Sequence, residues 1–184
     1  MKQLTSLVTI LFILFPGSVF AYKGDLYSGI MLSKITLESK PIDEFDDEGF
    51  KIKPTALLAR FGGYLTDNIA LEMRFGTSAE VHTEHVEGEF GDQINIDSSV
   101  NTIYGLYVVF STLNDDPGYY AFIGHTSAEL VIDDEEDGAW VDKDHDTSFG
   151  MGFRYGALTL EYIQYIDEKE YEASGLNIGL TATF

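Results

Sequence analysis

The 184-residue chain contains no cysteine, which removes disulfides and thiol chemistry from any account of its stability or function. Positive charge is scarce: 11 lysines and arginines face 31 acids, for a formal charge of −20. A chain without a basic footprint is not built for nucleic acid, and nucleic acid is excluded as an expected partner. Long hydrophobic runs are missing as well. The most apolar stretch, Leu7–Phe15, falls well short of the ~20 residues a spanning helix needs. Residence in a membrane would therefore have to come from strands, whose backbone groups are satisfied in lipid only when the sheet closes.

What the chain does have begins at its amino terminus. Lys2, the apolar run, the breakers Pro16-Gly17 and the ending Val19-Phe20-Ala21 read as a secretory signal cleaved after Ala21. Residues 22–184 then suit one domain. Aromatic residues are plentiful, with 13 Phe and 11 Tyr, although there is a single Trp.

Period-2 alternation is the dominant pattern, and it places successive side chains on opposite faces of a strand. Ile69, Leu71, Met73 and Phe75 share a face opposite Ala70, Glu72, Arg74 and Gly76. Phe149, Met151, Phe153 and Tyr155 oppose Ser148, Gly150, Gly152 and Arg154, and Thr55, Leu57, Ala59, Phe61 and Leu65 oppose Arg60, Gly62 and Tyr64. The final stretch sets Leu176, Ile178, Leu180, Ala182 and Phe184 against Gly175, Asn177, Gly179, Thr181 and Thr183. Eight strands are predicted, over 25–38, 53–65, 69–79, 99–112, 119–131, 147–156, 157–167 and 174–184. The first alternates poorly, and the fourth puts Ile103 and Val109 on its polar side. Short turn-forming connections (66–68, 113–118 and Gly156-Ala157) alternate with long ones (39–52, 80–98, 132–146 and 168–173), the arrangement of an all-β, antiparallel, up-and-down transmembrane barrel.

Charge follows the same division. The long connections and their borders carry 23 of the 31 acids. A soluble acidic sheet would spread carboxylates over the exposed faces of its strands, whereas here the apolar faces are the ones left to look outward.

The closing strand with its terminal aromatic resembles the C-terminal strand of bacterial outer-membrane β-barrels, where that pattern is part of the signal read by the assembly machinery. With Gly150-Met-Gly-Phe-Arg-Tyr155 and Leu160-Glu-Tyr-Ile-Gln-Tyr165, residues 22–184 resemble the small eight-stranded outer-membrane barrels similar to the OmpA transmembrane domain and OmpX. The resemblance implies residence in the outer membrane of a Gram-negative bacterium, among its lipid and lipopolysaccharide, with short turns toward the periplasm and long connections outside. It also implies a role in envelope structure, adhesion or host contact, an assembly signal at Leu176, Ile178, Leu180, Ala182 and Phe184, and an interior Glu–Arg network at Glu72, Arg74, Arg154 and Glu161.

The face assignment itself sends Arg60, Glu72, Arg74, Arg154 and Glu161 inward, together with His125 and Glu129. An eight-stranded barrel is just wide enough for side chains to fill, so such charges must neutralise one another. The expectation is a polar plug; a channel for ions or small solutes is the alternative. A third class rests on His125-Thr-Ser127-Ala-Glu129, which has the residue types of acyl transfer and resembles the His-x-Ser element of lipid A deacylases. Residues four apart on a strand are ~13 Å distant, so Glu129 cannot orient His125. Outward-facing His125 and Ser127 near the outer leaflet would favour this class.

Asp142-Lys-Asp-His-Asp146 starts like a calcium loop, but Thr147 and Phe153 stand where such a loop needs Gly and Glu. His82-Thr-Glu84-His85 lacks the supporting shell of a metal site. No cofactor is expected. The acidic connections, with Phe45, Phe50, Phe90 and Trp140 as apolar anchors, suit an extracellular or host ligand.

Overall fold

Alternation becomes a closed sheet in the computed structural model, which describes residues 24–39, 51–87, 93–112, 118–134, 138–167 and 171–184. Ten strands follow in chain order: β1 Leu26–Ser39, β2 Lys51–Ile52, β3 Thr55–Thr66, β4 Ile69–Glu80, β5 His82–Glu87, β6 Gln93–Ser111, β7 Gly118–Asp134, β8 Gly138–Tyr155, β9 Leu158–Asp167 and β10 Tyr171–Thr183. Eight of them, all but β2 and β5, make a closed antiparallel barrel of the transmembrane type. Each strand pairs with its sequence neighbour, and β10 closes on β1 from Tyr27↔Thr183 to Ser39↔Tyr171. Phe184 takes part in the closure: its N–H donates to Leu26 O at 2.8 Å, and Leu26 N–H donates to Phe184 O at 3.0 Å. Closure removes the unpaired edges that an open sheet would expose. The segment 1–21, read as a signal, lies outside the described residues.

The two faces are inverted relative to a soluble barrel. Leu71, Met73, Phe75, Leu106, Phe110, Ile123, Phe149, Met151, Leu160, Leu176 and Ile178 all stand exposed on the outside, and Met151 is 67% exposed. Their belt ends in Tyr119, Tyr155, Leu158 and Phe184 at the short-turn end. Toward the other end it gives way to Lys34, Thr55, Thr77, His125, Thr147 and Gln164. Aromatic pairs lie on the belt, with Phe61 and Phe75 stacked at 5.7 Å and Tyr119 and Phe153 tilted at 5.3 Å.

The weak alternation of the first strand now has a cause. Tyr27, Met31, Ile35 and Leu37 point into the core while Leu26, Ile30 and Leu32 point out, so both faces are apolar. Ile103 and Val109 are likewise buried inside, and the β6–β7 register shifts between Val100 and Thr102.

The sequence boundaries err most at β5 to β8. Stretches expected to be connections at 80–98 and 132–146 are largely strand: β5 pairs with β6 from His82↔Ser98 to Glu87↔Gln93, and β7 with β8 up to Asp134↔Gly138. Acids such as Asp97, Asp133, Asp134, Asp144 and Asp146 fall within these extensions, so the charge that elsewhere marks a connection here lies on strand that continues beyond the apolar belt. Since β9 pairs β8 only over Phe149–Tyr155, the sheet of β5 to β8 stands proud of the barrel at the long-connection end.

The short turn after β8 is placed as expected. Gly156 has φ +56° and Ala157 does not share the left-handed conformation, which fits the first central position of a type II′ hairpin turn.

Candidate functional site

Strand geometry alone brings four charged side chains to one level inside the barrel. Arg60 on β3 and Arg74 on β4 are register partners, Glu72 lies two residues before Arg74 on the same face, and Glu161 projects from β9. They form a closed ring. Arg60 Nη2 lies 2.5 Å from Glu72 Oε2, and Arg74 Nε lies 2.6 Å from Glu72 Oε1. Arg74 Nη1 lies 2.6 Å from Glu161 Oε1, and Arg60 Nη1 closes the circuit at 3.2 Å from Glu161 Oε2. The set is neutral, and both carboxylate side chains are fully buried.

Hydroxyls and an amide complete the coordination. Tyr27 Oη donates to Glu72 Oε2 at 2.6 Å, Tyr120 Oη to Glu161 Oε2 at 2.6 Å, and Asn177 Nδ2 to Glu161 Oε1 at 2.8 Å. The guanidinium faces are covered too: Arg60 lies over Tyr27 and Tyr120 at 5.4 and 5.6 Å, and Arg74 over Tyr107 and Phe122 at 4.7 and 4.3 Å. Such contacts offset part of the desolvation that makes buried charge costly. The rings fit because glycine faces them. A Cβ on Gly62 would come within 2.2 Å of Tyr27 Cζ, and one on Gly152 within 2.2 Å of Tyr120 Cζ.

Toward the long-connection end the ring continues into neutral polar groups. Tyr165 Oη meets Ser33 Oγ at 3.0 Å and donates to Asn177 Oδ1, Tyr107 Oη meets Thr126 Oγ1 at 2.5 Å, and Ser148 Oγ donates to Thr126 Oγ1 at 2.6 Å. Leu37, Ile52, Leu58, Val100, Ile103, Leu130 and Ile163 then form an apolar layer across that end of the interior. At the opposite end, a void of about 10 Å³ lies between Tyr27, Arg60, Tyr64, Val109, Tyr120, Arg154 and Thr159, space for one water at most. The interior is a packed plug.

Arg154 is the member of the expected network that the barrel does not bring to the ring. It is half-buried by the short-turn end, beside Tyr64, and no ion pair joins it to Glu72 or Glu161. Sequence reasoning missed Tyr27, Tyr120 and Asn177, which carry no charge pattern; Asn177 alone had a visible signal, as the one amide on the inner face of the last strand.

His125 and Glu129 are corrected. Thr126, Ala128 and Leu130 hold the inner positions of β7, so His125, Ser127 and Glu129 face outward. His125 is exposed and its ring sits edge-on to His145 at 5.6 Å; Ser127 is 6% exposed, between register partners Tyr104 and His145. No hydrogen bond joins His125 to Ser127 among the described residues, and Glu129 accepts from Asn101 Nδ2 at 2.5 Å. The outward direction matches the acyl-transfer reading, while the assembled triad is absent.

The stretch Asp142–Asp146 is a strand within β8, where alternate side chains diverge. Asp144 accepts from Tyr171 Oη, and Asp146 Oδ2 accepts from Asp167 N–H at 3.0 Å. Among the described residues no group of three or more His, Asp or Glu could hold a metal ion. His82, Glu84 and His85 lie on β5 with side chains outside the described set, as is that of Trp140; Phe45, Phe50 and Phe90 lie outside it altogether.

No family model and no curated protein sequence matches the chain. Solved structures do. Ail, the attachment invasion locus protein of Yersinia pestis, aligns with TM-score 0.56 at 12% identity over 88% of this chain and 99% of that one. OprG, an outer membrane protein from Pseudomonas aeruginosa, aligns with TM-score 0.58 at 10% identity over 89% and 97%. Neisserial surface protein A aligns with TM-score 0.50 at 12% identity over 86% and 97%. The closed barrel, its outward apolar belt and its filled interior together give this chain the fold of the small eight-stranded outer-membrane β-barrels.

Proposed function

We propose that the chain is a non-enzymatic barrel of the bacterial outer membrane, an envelope or surface-interaction protein that works through its outer connections and projecting sheet. The observation that carries this reading is the plugged interior inside an apolar outer surface. With the lumen occupied by the Arg60–Glu72–Arg74–Glu161 ring and capped by an apolar layer, what is left to meet other molecules is the outside. A contiguous exposed apolar belt needs lipid to cover it. The barrel assembly machinery and lipopolysaccharide are the partners this placement brings.

Two of the structural neighbours, an attachment invasion locus protein and a surface protein, support the class. Ail has also been solved with the heparin analogue sucrose octasulfate. The acidic connections here would repel such a polyanion and attract basic surfaces or cation-bridged ones, because the chain carries −20 overall.

Single-channel recording of the refolded chain, from residue 22 onward, in planar bilayers tests the reading, paired with Arg74→Ala. Absent or rare, tiny events, unchanged by the substitution, are expected. Steady conductance altered by the substitution would make the protein a channel and the ring its constriction. Acyl hydrolysis keeps one observation in its favour, the outward His125 and Ser127. Mass spectrometry of lipid A from cells making the wild-type protein or Ser127→Ala is expected to show the same acyl count in both.

A further inference from the structure

Among the described residues the exposed cations are few, and two of them share a pocket. Arg60 and Arg74 are sealed in the plug, and Lys51 Nζ is bound to Glu38 Oε2 at 2.5 Å. Lys34 and Lys53 instead line an open cavity of about 340 Å³ with Thr55, Glu80, Val81 and Thr83. Both lysines are exposed, and neither has an ion-pair partner among the described residues.

The register explains how they meet. Lys34 on β1 is the partner of Thr55 on β3, and Thr55 is the partner of Glu80 on β4, so the three sit in one row across adjacent strands. Lys53 precedes Thr55 by two residues on the same outward face. Two residues along β1 and β3 toward the short-turn end, and three along β4 across the register shift at Thr55/Ala56, come Leu32, Leu57 and Thr77, the next outward row, where the leucines begin the exposed apolar belt. The lysine row is thus ~7 Å beyond the apolar edge, the height at which a lysine stem lies on apolar surface while its ammonium reaches polar headgroups.

We infer that this pocket binds the phosphorylated headgroup of an outer-leaflet glycolipid. Two ammonium groups supply charge-assisted donors to phosphate oxygens. The Glu80 carboxylate and Thr55 hydroxyl are acceptors suited to the sugar hydroxyls next to the phosphate, and Val81, 53% exposed, offers an apolar wall. One carboxylate against two amines leaves the lining net positive in a strongly negative chain. The inference rests on membrane residence and adds to it a site that holds one lipid in place.

The test uses the refolded chain in phosphatidylcholine nanodiscs, titrated with bisphosphorylated lipid A and with the same lipid dephosphorylated, and read by native mass spectrometry. Wild type is expected to prefer the phosphorylated lipid by about tenfold, and Lys34→Gln/Lys53→Gln to lose that preference. The charge-matched Lys51→Gln/Lys143→Gln variant is expected to keep it. Equal preference in all three proteins overturns the inference, as does loss in the control variant. Displacement of lipid A by millimolar inorganic phosphate would show a site for free phosphate and overturn the lipid assignment. Failure of the barrel to enter nanodiscs at all would refute membrane residence itself, a result distinct from insertion without preference.

Discussion

At the scale of the residue, the interior is set by charge balance and by space. Glu161 is the acceptor for both arginines, Tyr120 and Asn177, so replacing its carboxylate leaves two cations facing one acid. Glu161→Gln is expected to cost about 3–5 kcal/mol in reversible urea unfolding from lipid vesicles, the range for breaking a buried pair by removing one partner. Gly152→Ala forces a methyl against the ring of Tyr120, one of the groups that holds Glu161, and is expected to cost about 1–3 kcal/mol in the same assay. The charged members of the ring could be read from the sequence because an inward Arg or Glu in a narrow barrel demands a counter-charge. Arg154 could not be told apart from them, since alternation fixes which face a residue is on and not its height along the barrel axis. Height depends on register between strands, which only pairing supplies.

At the scale of the element, legibility followed the environment of each strand. β3, β4 and β10 run between unlike media and alternate cleanly, whereas β1 is apolar on both faces and the outer halves of β6, β7 and β8 carry acids that read as connections. Met151 lies midway between Tyr155 and Thr147 on β8, at the centre of the apolar belt. Met151→Lys is expected to cost about 2–4 kcal/mol, the penalty for a basic residue at a bilayer midplane, measured by unfolding in vesicles. An unchanged midpoint would mean that this face does not meet lipid. The two halves of β8 should also differ in hydrogen exchange: amides of 149–155, paired on both sides within the barrel, are expected to exchange far more slowly than those of 139–147, whose backbone pairs with β7 alone.

At the scale of the whole molecule, the described residues make an inside-out protein with its polar network in the middle and its apolar surface around the waist. The barrel class was legible because this partition is written in periodicity and charge distribution. What the acidic connections meet was not, because a run of acids fixes no spacing from which a ligand could be read. The ionic ring has one more consequence, for the order in which the molecule is made. The β3–β4 hairpin carries Arg60, Glu72 and Arg74, two positive charges to one negative, and the acid that balances them arrives only with β9. Until β9 joins, an open sheet holds an excess cation that only water can stabilise. The last strands therefore do more than complete a circle of hydrogen bonds: they bring the carboxylate that lets the interior dry, so that a chain lacking β9 keeps a wet, unsealed interior.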